Sequence, residues 1–293
     1  MSSAQTIASP SPAPLAARLF GWLTLARISN SPTVASDVLA GAALAGAVEP
    51  RPSLGLLVLA MVMFYTAGML LNDVCDYHWD LQHRPDRPIV RGVVSRQAAA
   101  LATLGLFALG SGLLWLVGPR AFVSGLVLIG FIVLYDTWHK SNPLSPLVMA
   151  ACRLLVYVTA FLAFAETPTP MLIAAGGLLV AHLVGLTAIA KSESRPSLIG
   201  YWPAALLCLP PLFFVVQTPV LAIAEAAWVG YSIHFVYRPV DRRIGTAIGH
   251  LIAGISLVDL LVLAAMSAPP TMLALALLAF VVTLVFQRYV EGT

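Results

Sequence analysis

Three observations on this 293-residue chain predict an all-α, polytopic transmembrane bundle. Hydrophobic residues make up 59% and charged residues only 10%, with a mean hydropathy of +0.90, whereas about 25% of an ordinary soluble domain is charged. Apolar runs long enough to cross a hydrocarbon core of about 30 Å recur along the whole length. With the N-terminus placed in the cytoplasm, every loop-borne basic residue except Arg51 and Arg120 falls on the cytoplasmic side, and only Arg153 lies within a helix.

Taken in order, residues 1–17 are rich in Ser, Ala and Pro with no basic residue before Arg18, and read as a disordered tail ahead of one membrane domain at 18–290. The candidate spans are 32–48, 54–78, 98–117, 121–138, 144–166, 171–190, 200–216, 219–237, 246–266 and 271–288. Pro210-Pro211 interrupts the seventh, so the reading is nine or ten helices. Ten crossings return Arg288 to the same side as Arg18. The net charge of +3 then reflects loops beside anionic lipid, not nucleic-acid binding. Cysteines 75, 152 and 208 are scattered and odd in number, so neither a disulfide framework nor a zinc site follows.

Polar chemistry concentrates in the cytoplasmic loops, and above all at the end of the second run. Asn72-Asp73-Val74-Cys75-Asp76-Tyr77-His78-Trp79-Asp80 places three carboxylates at i, i+3 and i+7, within a helical arc of roughly 60°. Charge at membrane depth is costly and usually marks a site. A hard divalent cation bridging to a phosphate satisfies three acids on one face. The following loop supplies Arg84, Arg87 and Arg91, stiffened by Pro85 and Pro88. Arginine forks suit phosphate oxygens, although a cluster obeying the positive-inside rule gives the same residues.

Other charges within the spans carry less. Arg153 lies too deep for easy snorkelling and requires an internal acidic or carbonyl partner; it reads equally as a structural ion pair or a substrate contact. Asp37, Glu225, His250 and Asp259, each taken alone, read as helix–helix hydrogen-bond groups. His182 and His234 have no ligand spacing.

Asn72-Asp73-x-x-Asp76-x-x-x-Asp80, followed by Arg84, Arg87-Pro88 and Gly92, resembles the first aspartate-rich motif of the UbiA superfamily of intramembrane prenyltransferases. Arg27-Ile28-Ser29-Asn30-Ser31-Pro32-Thr33 resembles that family's approach to its first helix, and Tyr135-Asp136-x-x-x-Lys140 its fourth-helix end; the likeness runs over roughly 20–260. The resemblance implies a helical bundle around a lipid-open cavity, Mg2+, a prenyl diphosphate donor and a lipophilic, usually aromatic acceptor. It assigns metal binding to Asp73, Asp76 and Asp80, and diphosphate contacts to Arg84, Arg87, Lys140 and Lys191, with Asn72 as polar support. Asn30 and Arg153 become candidates for the cavity wall.

One departure stands out. Where the family carries a second acidic motif, this chain has Ala190-Lys191-Ser192-Glu193-Ser194-Arg195, with Glu193 the only carboxylate. That pattern is similar to the EboC-like branch. Two expectations follow: a transferase in which Lys191 contacts diphosphate in place of a second metal, with Glu193 beside it, or a non-catalytic lipid-precursor binding or export component. A secondary transporter using Asp73, Arg153 and Asp259 is disfavoured, because transporter sites sit near the midplane. The expected location is a bacterial-type cytoplasmic membrane, with the site at the cytoplasmic face.

Overall fold

The computed structural model describes residues 14–49, 51–140, 142–193, 200–238 and 240–290. Among them are twelve α-helices: α1 Leu15–Leu25, α2 Ser31–Leu44, α3 Pro52–His83, α4 Arg96–Val117, α5 Pro119–Trp138, α6 Ser145–Leu162, α7 Pro170–Lys191, α8 Trp202–Leu207, α9 Leu209–Phe214, α10 Pro219–Tyr237, α11 Ile244–Ala265 and α12 Pro270–Phe286. Helix starts follow local chemistry. Ser95 caps α4 by accepting from the Ala98 amide at 3.1 Å, and Thr169 caps α7 by accepting from the Leu172 amide at 3.2 Å. Proline opens α7 and eight of the other helices or stands at their second position, where no helical N–H is lost.

Seven helices, α3 to α7, α10 and α11, are long and apolar enough to cross a membrane. The expected spans at 32–48, 200–216 and 271–288 prove shorter. α2 ends at Leu44 and α12 at Phe286, while the Pro210-Pro211 segment splits at Cys208 into the six-residue α8 and α9. The sequence also missed a helix, because α1 begins at Leu15, inside the segment read as tail. The rest of that tail lies outside the described residues.

α7 and α11 are the most buried spans and form the centre; α4 and α5 turn residues such as Leu101, Leu104, Trp115 and Val123 outward. α2 packs between α6 and α11 at close range. A Cβ on Gly41 would stand 2.6 Å from the Tyr157 carbonyl oxygen, so only glycine allows this approach. Polar side chains join the same three helices. Arg153 on α6 pairs with Asp37 and donates to Thr33 Oγ1 at 2.7 Å, both on α2. Asp259 on α11 accepts from Tyr157 of α6 and Ser36 of α2. Arg153 thus has the acidic partner its depth requires, and Asp37 and Asp259 make the interhelical bonds expected of them. Glu225 departs from that pattern: neither carboxyl oxygen has a hydrogen-bond partner. His250 is similar at Nδ1, although its backbone carbonyl accepts from Trp228 Nε1 at 2.9 Å.

Candidate functional site

α3 explains why three aspartates are tolerated. Twenty residues of helix from Pro52 to Asn72 rise about 30 Å, the thickness of a hydrocarbon core, so the acids begin where that thickness ends. Around them the chain folds a basic collar. The loop after α3 is ordered by its own turns, including Arg91 N–H to the Arg87 carbonyl at 3.0 Å and Val93 N–H to the Pro88 carbonyl at 3.0 Å. Gly92 takes the positive φ of 70° that this turn needs. Ile89 and Val94 then bury against Leu25, Leu70 and Ala99, which fixes Arg87 over the acids.

Asp73 is 3% exposed and sits between two arginines, with Arg27 Nη2 at 3.5 Å and Arg87 Nη1 at 3.8 Å. Asp76 faces the end of α5, with Lys140 Nζ at 2.8 Å and His139 Nε2 at 3.5 Å. The hydrogen bond to Asp76 raises the His139 imidazole above its ordinary pKa, against the opposing effect of burial. Asn72 donates to Asp136 Oδ1 at 3.1 Å, and its own Oδ1 lies 3.5 Å from Arg27 Nη2. Asp80 is buried on the same face and makes no ion pair among the described residues.

Arg27, Asn72 and Asp136 also line a 270 Å³ cavity that descends between α3, α5, α6, α7 and α11. Its wall is mostly apolar, with Tyr65, Asn30 and Arg153 as a deeper polar strip. Tyr65 connects the two levels: its hydroxyl donates to the Arg27 carbonyl at 3.3 Å, and the Arg153 guanidinium lies 5.7 Å from its ring centre. Asn30 accepts from Gln287 Nε2 at 3.1 Å, which brings the end of α12 to the cavity wall. A larger groove of 530 Å³ between α5 and α6 lies at the other end of those helices, near Arg120, away from the aspartates.

Of the residues singled out in the sequence, Asn72, Asp73, Asp76, Asp80, Arg87 and Lys140 come together, and Asn30 and Arg153 line the cavity below them. Arg84 does not join the collar; it is exposed and lies 5.9 Å from the Trp79 ring centre. Glu193 is exposed and faces the start of α11 at Gly245. Lys191 donates to Ser145 Oγ at 2.7 Å, one residue past the cavity-lining Ala190. Arg195 lies outside the described residues. The sequence reading missed three members: Arg27, His139 and the direct tie of Asp136 to Asn72. Arg27 occupies a left-handed conformation with φ 42°, costing a non-glycine residue about 1–2 kcal/mol. Its signal was the segment before Asn30, and Asp136 had one in its helical spacing from Lys140.

The model of the UbiA prenyltransferase family matches residues 34–291. The chain belongs to that family. This UbiA-family chain is therefore an integral, multi-pass membrane protein. It is 31% identical over 126 residues to digeranylgeranylglyceryl phosphate synthase of Natronomonas pharaonis, covering 43% of this chain and 46% of that protein. Against the enzyme of the same name from Methanopyrus kandleri it is 33% identical over 131 residues, covering 44% and 48%. The chain thus spans less than half the length of these curated relatives. A UbiA homolog from Archaeoglobus fulgidus, solved bound to GPP and Mg2+, superposes with a TM-score of 0.59 at 17% identity, covering 87% of this chain and 99% of that one. A structure reported for digeranylgeranylglyceryl phosphate synthase in membranes gives 0.61 at 16%, covering 88% and 99%. At such identities the likeness is one of fold.

Among the described residues no three His, Cys, Asp or Glu side chains converge on one point. The buried Asp73 Oδ2 has no hydrogen-bond partner. One or two carboxylates with open coordination suit Mg2+, which usually takes its remaining oxygens from substrate phosphate and water. Asp73 and Asp76 fit that role.

Proposed function

We propose that this chain is a Mg2+-dependent membrane prenyltransferase that moves an isoprenoid chain from a prenyl diphosphate to a lipophilic acceptor. The observation that carries the reading is one juxtaposition: an acidic helix face, ringed by Arg27, Arg87 and Lys140, at the rim of an apolar cavity. Asp73 and Asp76 hold the metal, with Asp80 behind them on the same face. When bound, Mg2+ neutralises charge on the diphosphate leaving group. Arg27, Arg87 and Lys140 exchange their carboxylate contacts for phosphate oxygens, so cations already oriented meet the charge that grows as the allylic C–O bond breaks. Asn72, tied to Asp136 and Arg27, keeps that group in register. Lys191 approaches from α7 as a further cation. The apolar wall houses the tail and excludes water from the allylic cation. The basic end of the bundle carries the site, which supports a cytoplasmic orientation.

The acceptor is proposed as lipophilic. An aromatic one remains the reading of the family resemblance, whereas the relatives are named for a glyceryl phosphate lipid. The alternative is a binder without turnover, and the variant Lys191-Ser192-Glu193 segment favours it. Purified protein is incubated with Mg2+ and labelled prenyl diphosphates, comparing wild type with Asp73→Ala and Lys191→Ala for donor binding and diphosphate release. Binding and release by wild type, both lost in Asp73→Ala, support the transferase. Tight binding without release across a broad acceptor panel points to the binder, and no binding in wild type ends both readings.

A further inference from the structure

Helix α1 has two apolar faces, and only one of them meets the protein. At about 100° per residue, Gly21 and Leu25 point one way and are buried, while Leu15, Leu19, Phe20 and Leu23 share an arc of roughly 140° on the other side. Those four are 71%, 57%, 54% and 44% exposed. A contiguous face of large apolar side chains marks a surface that something covers. At about 1.5 Å per residue α1 is about 16 Å long, too short to span a hydrocarbon core of about 30 Å.

Its buried side sets its height in the bundle. Leu25 packs with Leu70 and Ala99, and Leu70 lies about 27 Å along α3 from Pro52, just inside the end of the hydrocarbon thickness. On α4, Leu101 and Leu104 follow Ala99 and are exposed on a membrane span. The outer face of α1 is therefore level with the rim of the lipid-facing surface. Arg18 and Arg27 are the only charged side chains up to Ser36, so nothing in this segment repels acidic lipid. Trp22, half-buried on α1, is of the type that collects at such a boundary.

The same helix holds both arginines that meet Asp73. A Cβ on Gly21 would stand 2.9 Å from Val93 Cγ1 and 3.7 Å from Pro88 Cβ, so α1 rests on the loop that carries Arg87. Its last turn runs straight into Arg27, whose N–H donates to the Thr24 carbonyl at 3.1 Å and whose carbonyl accepts from the Asn30 N–H at 3.0 Å. We infer that α1 is an interfacial anchor: Leu15, Leu19, Phe20 and Leu23 sit among the lipids of the leaflet at the basic end, and that seat holds the turn from which Arg27 reaches Asp73. A helix with one face sunk in the headgroup and acyl boundary gains burial that water cannot give it. The left-handed turn at Arg27 is then braced from outside, and the anchor stands whether or not the site turns over a prenyl diphosphate.

The test uses the full chain in nanodiscs of phosphatidylglycerol and phosphatidylcholine. A photoreactive benzophenone amino acid is placed at Leu19, with the same probe at the membrane-span position Leu101 as the reference for lipid labelling. The expected result is phospholipid adducts at both positions, with yields within threefold of each other. Adducts at Leu19 to a second copy of the chain or to residues 1–13, or no adduct there, overturn the anchor. Hydrogen exchange reads the second half. Leu19→Glu/Leu23→Glu is expected to speed amide exchange over residues 27–30 at least tenfold while α7 keeps its protection. Should that variant not fold, Leu19→Ser/Leu23→Ser is expected to speed it at least threefold. Unchanged exchange over 27–30 in a folded variant overturns the bracing of Arg27.

Discussion

Asp73 carries more of the site than any other side chain, because two arginines from different parts of the chain converge on it while one of its oxygens stays unbonded. Asp73→Asn keeps the shape and removes the charge. Its Mg2+-dependent affinity for a prenyl diphosphate is expected to fall at least tenfold with unchanged helix content, read by calorimetry and circular dichroism. Asp37 and Arg153 form the other decisive pair, buried at 0% and 13% side-chain exposure. Removing one partner of a buried pair leaves an uncompensated charge, at a cost of about 3–5 kcal/mol. Arg153→Met is expected to lose about that much, and Asp37→Asn/Arg153→Met to recover most of it, measured by thermal unfolding in detergent. Failure of the double variant to recover would mean that Arg153 stabilises through packing against Tyr65, not through its charge. The need for a partner was legible in the sequence from the depth of Arg153. Its identity was not, since the sequence offers Asp37, Glu225 and Asp259 as buried acids and nothing in it says which helix packs beside Arg153.

Helices show the same division. The ends of α3 to α7, α10 and α11 follow from apolar length, proline and capping residues, all local properties, and the expected spans land within a few residues of them. α8 and α9 follow from Pro210-Pro211. α1 escaped notice because its eleven residues are too few for a span and its Leu15, Leu19 and Leu23 are exposed. Close packing is a relation between helices, and single helices do not display it. Gly41 and Gly55 look alike in sequence, yet a Cβ on Gly41 would collide with α6, whereas one on Gly55 would meet nothing within 4 Å. Gly41→Ala is expected to destabilise by about 1–3 kcal/mol through overpacking. Gly55→Ala should be neutral or stabilise by up to about 1 kcal/mol through helix propensity. Thermal melts of the two variants side by side test this, and equal melting points would refute the α2–α6 contact.

In the whole molecule, six helices turn polar or apolar faces toward one cavity, and Asp73 and Asp76 beside its rim are met by the protein's own cations. That arrangement makes donor and metal interdependent. Mg2+ alone must compete with Arg27, Arg87 and Lys140 for the carboxylates, and the diphosphate alone meets Asp73 and Asp76 uncovered. Each by itself is therefore expected to shift the melting temperature little. Together, at a donor concentration about 100-fold over Kd, they should stabilise the fold by about 2.7 kcal/mol, and chelation with EDTA should abolish the shift. Full stabilisation by the donor in EDTA would assign binding to the arginines and lysine without a metal.

Composition, span length and the acidic spacing on α3 were enough to establish a helical membrane protein with an anionic helix end at one face, because hydropathy and helical periodicity are written along the chain. They were also enough for the family, since Asn72 to Asp80 is a contiguous pattern. Only the tertiary structure decided which cations meet those acids. It chose Arg27 and His139, which sequence reasoning did not single out, and set Arg84 and Glu193 aside. It alone seated the Phe64 ring of α3 in glycine gaps on α4 and α5, a coincidence of three distant segments. Contacts of that kind depend on how helices cross, and a one-dimensional pattern carries no crossing angle.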